Sequence, residues 1–407
     1  MPIFQLPPAV HMLLARLQSC GHAAYAVGGC VRDSLLGRAV HDWDITTSAT
    51  PEQMMRALDG LRLIETGLQH GTLTVYVDGE NYEVTSFRAD GAYEDHRRPK
   101  SVQFVSRLDD DLARRDFSVN AMAIDRAGHL HDPFGGESDL HARQIRCVGD
   151  PMRRFDEDAL RILRGLRFAA VLGFSIHEDT AAAARALSHT LAHISAERTF
   201  AELSKTLLGD YVEAVLRQFA PIFGLILPPI ARPAGWLPLS RALPFAPKSL
   251  AVRLALCCFL LCIPPRETLA ALRADRRTID DAAIVAAQLD RPVPANAPQT
   301  LRALNALGPE RFFLWLDGAR ALAHARCDDA ALESLACAQF RANGLLSGGT
   351  CFRLDQLALR GNDLLALGIA PGKPLGQMLL LLLDEVICGN LPNNRAKLTE
   401  FVYKTNK

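Results

Sequence analysis

The sequence predicts an α+β protein: an α/β head over residues 1–145, then an all-helical neck (146–210), body (211–350) and tail (351–407). Three observations carry this. Alternating strand-length runs, with a hairpin signal between two of them, are confined to the head. From Asp150-Pro151 onward, apolar residues recur at helical spacing almost without strand signals. Proline-rich breaks at Pro228-Pro229, Arg232 to Pro244 and Arg291 to Pro298 punctuate the helices, and no solenoid repeat is present.

The head is organised around Ala24 to Thr47, AYAVGGCVRDSLLGRAVHDWDITT. It reads as a strand from Tyr25 to Val27, a Gly28-Gly29 turn, a short helix from Val31, and a second strand carrying Asp42 and Asp44. Glycine has no Cβ, so backbone amides at Gly28 and Gly29 can approach a polyphosphate, and Arg32 follows on the first helical turn. Asp42 and Asp44 sit two apart, so on a strand both carboxylates share one face. Carboxylates so placed repel unless a divalent cation lies between them, which suits Mg²⁺ bridging to a nucleoside triphosphate.

Thr50-Pro51-Glu52-Gln53 marks a capped helix running to about Leu58. Thr72 to Val77 and Asn81 to Phe87 form a hairpin across Asp78-Gly79-Glu80, and Glu83 on its second strand is a candidate third carboxylate. Arg88 to Ser101 is polar and charged, as expected of a mobile loop beside that strand. In Asp109 to Asp125, Arg114, Arg115, Asp116 and Asn120 stand among apolar residues, where charges need partners. Such a set offers hydrogen bonds to a ribose, with Asp116 or Asn120 accepting from its 2′-hydroxyl.

The neck starts with a long helix capped by Asp150. Asp158, Arg161, Arg164 and Arg167 follow one another at i, i+3, each next to the one before. A carboxylate only accepts hydrogen bonds and a guanidinium only donates. Asp158 beside Arg161 therefore fits cytosine and adenine, which present an amino donor beside a ring-nitrogen acceptor. Uracil and guanine present the reverse and leave groups unpaired. Arg164 and Arg167 are candidates to hold phosphate or the far side of the base.

Composition narrows the class. Lys+Arg and Asp+Glu each number 45, so there is no global basic field and any nucleic-acid surface is a local patch. The ten cysteines show neither zinc-ligand spacing nor a disulfide framework, which points to a reducing cytoplasm. The N-terminal residues lack the features of a signal peptide, and apolar runs such as Leu250 to Pro265 are interrupted. The expectation is a soluble cytoplasmic protein that needs no membrane and shows no sign of an obligate protein partner.

GGCVRD followed by DWDITT resembles the nucleotidyltransferase (polymerase beta-like) head of the class II tRNA nucleotidyltransferase and poly(A) polymerase family. RRDFSVNAMA, from Arg114, is similar to the family's ribonucleotide-selecting element, with Ser118 in the usual threonine place. Glu157-Asp158-x-x-Arg161 resembles its EDxxR amino-acid template for CTP and ATP, and Glu197-Arg198 with Glu202-Leu203 its mainly structural ERxxxEL segment. The resemblance covers residues 20–210 densely and the segment from Gly361 more loosely.

It implies a CCA-adding enzyme of the bacterial type, using Mg²⁺, CTP and ATP, whose helical part grips the acceptor and TΨC arm of tRNA. Asp42 and Asp44 would hold Mg²⁺; Gly28, Gly29 and Arg32 the triphosphate; Arg115 and Asp116 the ribose; Asp158 and Arg161 the base. The loop residues Arg88, His96, Arg97, Arg98 and Lys100 favour adenosine addition as well. Arg273, Arg276 and Arg277 are candidates for tRNA contact, with a solvated helix face as the plainer alternative. Rival readings are a bacterial poly(A) polymerase, a partial CC- or A-adding enzyme, a small-molecule nucleotidyltransferase and a non-catalytic RNA-binding module.

Overall fold

The computed structural model describes residues 4–40, 42–68, 71–90, 93–94, 98–99, 102–227 and 233–405. Two compact units divide it, Met1–Ile226 and Leu227–Lys407, so the expected head and neck lie in one unit.

The first unit is built on a seven-stranded sheet whose first two strands lie in its interior, with later strands added on both sides. Helix α1 (Pro8–Ser19) buries Val10, Leu13, Leu14 and Leu17 and leads into β1 (Ala24–Val27). Then come α2 (Gly29–Leu35), β2 (Asp44–Thr47) and α3 (Pro51–Ala57), the last with a capping box between Thr50 and Gln53. Strands β3 (Arg62–Gly67), β4 (Thr72–Val77) and β5 (Glu80–Ser86) form a meander with the expected tight turn, where Asp78 and Gly79 both take positive φ.

Arg88 to Ser101 differs from a structureless loop. Strand β6 (Arg88–Asp90) and the two-residue strands β7 (Tyr93–Glu94) and β8 (Arg98–Pro99) occupy it. β7 pairs with β8, and β6 with β9 (Val102–Phe104), both antiparallel. Backbone pairing is indifferent to the polar side chains that hid this ribbon. His96, Arg97 and Lys100 lie outside the described residues.

Helix α4 (Leu108–Ala113) follows, then β10 (Ala123–Ile124), β11 (Leu130–His131), α5 (Gly136–His141) and β12 (Gln144–Ile145). The sheet order is β11-β10-β1-β2-β5-β4-β3, antiparallel except for β2 beside β5. Leu112 of α4 packs on Val27 and Ala123, closing the core behind the Gly28 turn.

The expected long neck helix is two helices. α6 (Pro151–Glu157) stops at Asp158, whose backbone is extended, and α7 (Leu160–Leu172) runs on to Gly173 in the left-handed conformation. β13 (Ser175–Ile176) returns to pair with β12, and α8 (Glu178–Ala186), α9 (Ala196–Leu207) and α10 (Val212–Ile226) complete the unit.

The second unit is helical throughout its described residues, centred on Leu250–Leu261, whose Val252 and Leu254 to Cys258 are buried. Arg232 to Pro244, expected as a break, contains the helix Trp236–Ala242, with Pro238 in its first turn where no intrahelical donor is lost. Arg276 and Arg277 are exposed and paired within 3.8 Å to Asp280 and Asp281, a charge-balanced helix face. Among the described residues no single helix is long and apolar enough to cross a membrane.

Candidate active site

The parallel pairing of β2 with β5 sets Asp44 directly opposite Glu83. Residues paired this way present side chains to the same face of the sheet, so a carboxylate pair forms from strands far apart in sequence. Asp42 is exposed and lies just before β2 rather than within it, which departs from the expected strand pair. Burial pushes the Asp44 carboxyl up to about 6; the charge of Glu83 adds to this, Arg115 opposes it, and Asp42 adds a smaller push. These three charges thus act on Asp44 together.

Among the described residues no three His, Cys, Asp or Glu side chains are grouped to hold an ion alone. A hard divalent cation of the Mg²⁺ kind does not require that, because one or two carboxylates are ordinarily joined by substrate phosphates and water. A half-buried carboxylate whose pKa is raised first by burial and then by its acidic neighbour fits such a cation, whose charge would relieve the repulsion.

The side expected to take the triphosphate is framed by Gly28, with φ +87° at the start of α2. The positive φ favours glycine there, and a Cβ would lie 2.9 Å from Nη1 of Arg115, so the guanidinium would have to shift. Arg115 was expected at the ribose; the fold sets it between the Gly28 turn and Asp44. Its Nη2 reaches Asp111 at 3.5 Å, and its buried Nε has no hydrogen-bond partner. Asp111 escaped the sequence reading. Fully buried, it also holds Arg114 at 2.8 Å, accepts from the Thr46 hydroxyl at 3.1 Å and from the Arg88 amide at 3.3 Å. Its burial within DDDLARRD is visible only once α4 packs on the sheet.

Arg32 is buried. Its Nε and Nη2 donate to Asp33 at 3.0 and 2.8 Å, and its Nη1 to Oδ1 of Asn120 at 2.6 Å. Asn120 in turn donates to Asp116 at 3.2 Å, and Asp116 accepts from its neighbour Phe117 N at 2.9 Å and from Arg164 at 2.7 and 2.6 Å. A carboxylate has about four acceptor positions, and these donors fill those of Asp116. It braces the site instead of presenting a free acceptor to a ribose. Burial raises the pKa of Asp116, but the charge and hydrogen bonds of Arg164 outweigh it and hold the group below the ordinary carboxylate value.

Asp158 and Arg161 are not adjacent steps of one helix. Asp158 caps the amide of Leu160 at 3.0 Å and pairs with Arg198 of α9 at 3.1 Å. Arg161, 7% exposed, points into the protein. It donates to Glu157 at 2.9 Å and to the carbonyls of Arg154 and Arg114, each at 3.1 Å. Arg167 pairs with the buried Glu202 at 2.6 Å. The residues expected to read the base therefore stand at a helix break, where the chain turns from α6 into α7.

Comparison with known proteins supplies the family. The model of the poly(A) polymerase head domain matches residues 24–146, and that of the probable RNA- and SrmB-binding site of polymerase A matches 173–220. The chain is similar to the CCA-adding enzyme of Geobacillus kaustophilus, 38% identical over 97% of this chain and 96% of the relative. With that of Geobacillus thermodenitrificans it shares 43% identity over 74% of each chain. Its fold is similar to the crystal structure of the Bacillus stearothermophilus CCA-adding enzyme in complex with CTP, at 31% identity and a TM-score of 0.84 over 98% of both chains. With this likeness along nearly its whole length, and a carboxylate pair beside a glycine turn in the head, the chain belongs to the CCA-adding enzyme family of nucleotidyltransferases.

Proposed function

We propose that this protein adds the 3′-terminal CCA sequence to tRNA from CTP and ATP, releasing pyrophosphate, without a nucleic-acid template. The observation that carries the chemistry is the register pair of Asp44 and Glu83 beside Arg115 and the Gly28 turn. Similarity along the chain to CCA-adding enzymes carries the substrate.

Asp42, Asp44 and Glu83 are read as the catalytic carboxylates, with Asp42 and Asp44 the residues that would hold Mg²⁺. When bound, Mg²⁺ neutralises triphosphate charge and acidifies the attacking hydroxyl. The protein's own groups position the rest. Gly28 and Gly29 leave room for the triphosphate, while Arg32 and Arg115 present fixed positive charge to it as the tRNA 3′-hydroxyl attacks the α-phosphate in line. The Arg32 fork is held by Asp33, so Arg32 acts as a positioned charge more than a bidentate grip. Asn120 keeps one acceptor position on Oδ1 for a ribose hydroxyl, and Asp158 keeps two for an exocyclic amino group. For Arg161 to meet a ring nitrogen, it exchanges one of its present partners.

Residues 211–350 and 351–407 are read as the body and tail that take the acceptor and TΨC arm by backbone and shape, since mature tRNAs differ in sequence. The ten cysteines, none in a disulfide, suit a reducing cytoplasm. The test is transfer of label from CTP to tRNA lacking its CCA end, in the presence and absence of Mg²⁺. Transfer to RNA only with the metal supports the reading; transfer to a small-molecule acceptor alone, or transfer without a divalent metal, refutes it.

A further inference from the structure

Phe168 follows Arg167 on α7, and the sequence assigned it no role. Its ring is 6% exposed, and three guanidinium groups from two elements gather on it. The Cζ atoms of Arg167, Arg32 and Arg164 lie 4.0, 5.1 and 5.5 Å from its centroid. Phe117 meets the same ring edge-on, with centroids 5.9 Å apart. Three like charges so close repel. Each is offset by its own carboxylate, Asp33 for Arg32, Asp116 for Arg164 and Glu202 for Arg167. What they share is the ring. Its negative faces attract guanidinium groups electrostatically, and more strongly when water is excluded. An aliphatic side chain would fill the space without that attraction.

We propose that Phe168 is a positioning residue of the nucleotide site. It anchors Arg32, on the helix that follows the Gly28 turn, to the same neck helix that leaves the template break at Asp158. The hydrogen-bonded chain from Arg32 through Asn120 and Asp116 to Arg164 joins these two helices along one side. The ring joins them along the other and adds Arg167. The charge facing the triphosphate and the segment reading the base are thereby set in one geometry, whichever nucleotide is bound. This inference rests on the reading of Arg32 as a triphosphate-facing charge.

The test compares KM and kcat for CTP and ATP, at saturating tRNA, in Phe168→Leu and in protein carrying trifluorophenylalanine at position 168. The fluorinated ring keeps the shape of phenylalanine and loses most of the negative charge of its faces. The expected result in both is a KM raised about tenfold for CTP and ATP alike. The turnover number should stay close to that of the unaltered protein. If Phe168→Leu does not fold, the fluorinated protein decides alone, because a purely packing role leaves its KM unchanged. An unchanged KM in the fluorinated protein overturns the proposal. Arg32→Ala separates the two readings. Unchanged KM in that variant overturns the triphosphate role of Arg32 and the inference with it. A raised KM there, with none in the fluorinated protein, overturns the role of Phe168 alone.

Discussion

Replacing Asp116 with asparagine keeps the side chain's shape and removes its charge. Asp116 is buried and accepts two bonds from Arg164, one from Asn120 and one from Phe117 N. An amide has only one oxygen, so its NH₂ end must face two of those donors. Breaking a buried ion pair costs about 3–5 kcal/mol. The Arg164 side chain is 36% exposed, so water takes over part of its solvation, and about 2–3 kcal/mol is the expected loss. For a unit of this size that is roughly a 5–10 °C fall in the unfolding midpoint near neutral pH.

The pH dependence has a definite sign. The folded-state pKa of Asp116 is lowered, so its stabilisation is complete above the unfolded carboxylate value of about 4. It is lost as pH falls from there through the folded value. Circular dichroism melts of the two proteins should therefore differ at neutral pH and converge in acid. A midpoint within about 1 °C of the unaltered protein at neutral pH, against the shift expected for a buried pair, would refute the reasoning. So would a difference that persists unchanged in acid.

Other expectations concern activity. Asp44→Asn should abolish nucleotide transfer while leaving tRNA binding in a gel-shift assay nearly intact; retained turnover would remove its catalytic role. Gly28→Ala forces a positive φ on a Cβ-bearing residue and crowds Arg115, a strain of about 1–3 kcal/mol. It should raise the KM for CTP and ATP several-fold in steady-state assays, and unchanged kinetics would remove the close approach of Arg115. Asp158→Ala should blunt the preference for CTP and ATP over UTP and GTP, by up to about 10⁴-fold if the polar match accounts for it. It also leaves Arg198 without its carboxylate partner Asp158, so the variant's melting point should fall. An unaltered nucleotide profile would sink the protein-template reading.

The parts of this molecule legible in its sequence are those governed by local rules. Thr50-Pro51 with Gln53 announced α3, and Asp78-Gly79 announced the hairpin, because capping and turn chemistry act over a few residues. The glycine turn was legible for the same reason. Glu83 was readable only as a candidate, since its pairing with Asp44 depends on a parallel register between distant strands. The break at Asp158 was hidden by helical spacing that runs straight through it. The available signal was an aspartate able to cap the amide two residues on, as it does with Leu160. Asp111 and Phe168 were illegible as functional residues, because burial and the convergence of partners from separate elements follow from packing alone.

The central claim is that the head's carboxylate site extends tRNA by a protein-specified CCA. It is tested most directly by incubating the protein with Mg²⁺ and tRNA lacking the CCA end, then sequencing the product termini. With CTP alone the account predicts addition of C residues and no A; with CTP and ATP together it predicts CCA and then a stop. A growing poly(A) tail, an end containing U or G when all four nucleotides are present, or no extension at all would contradict it.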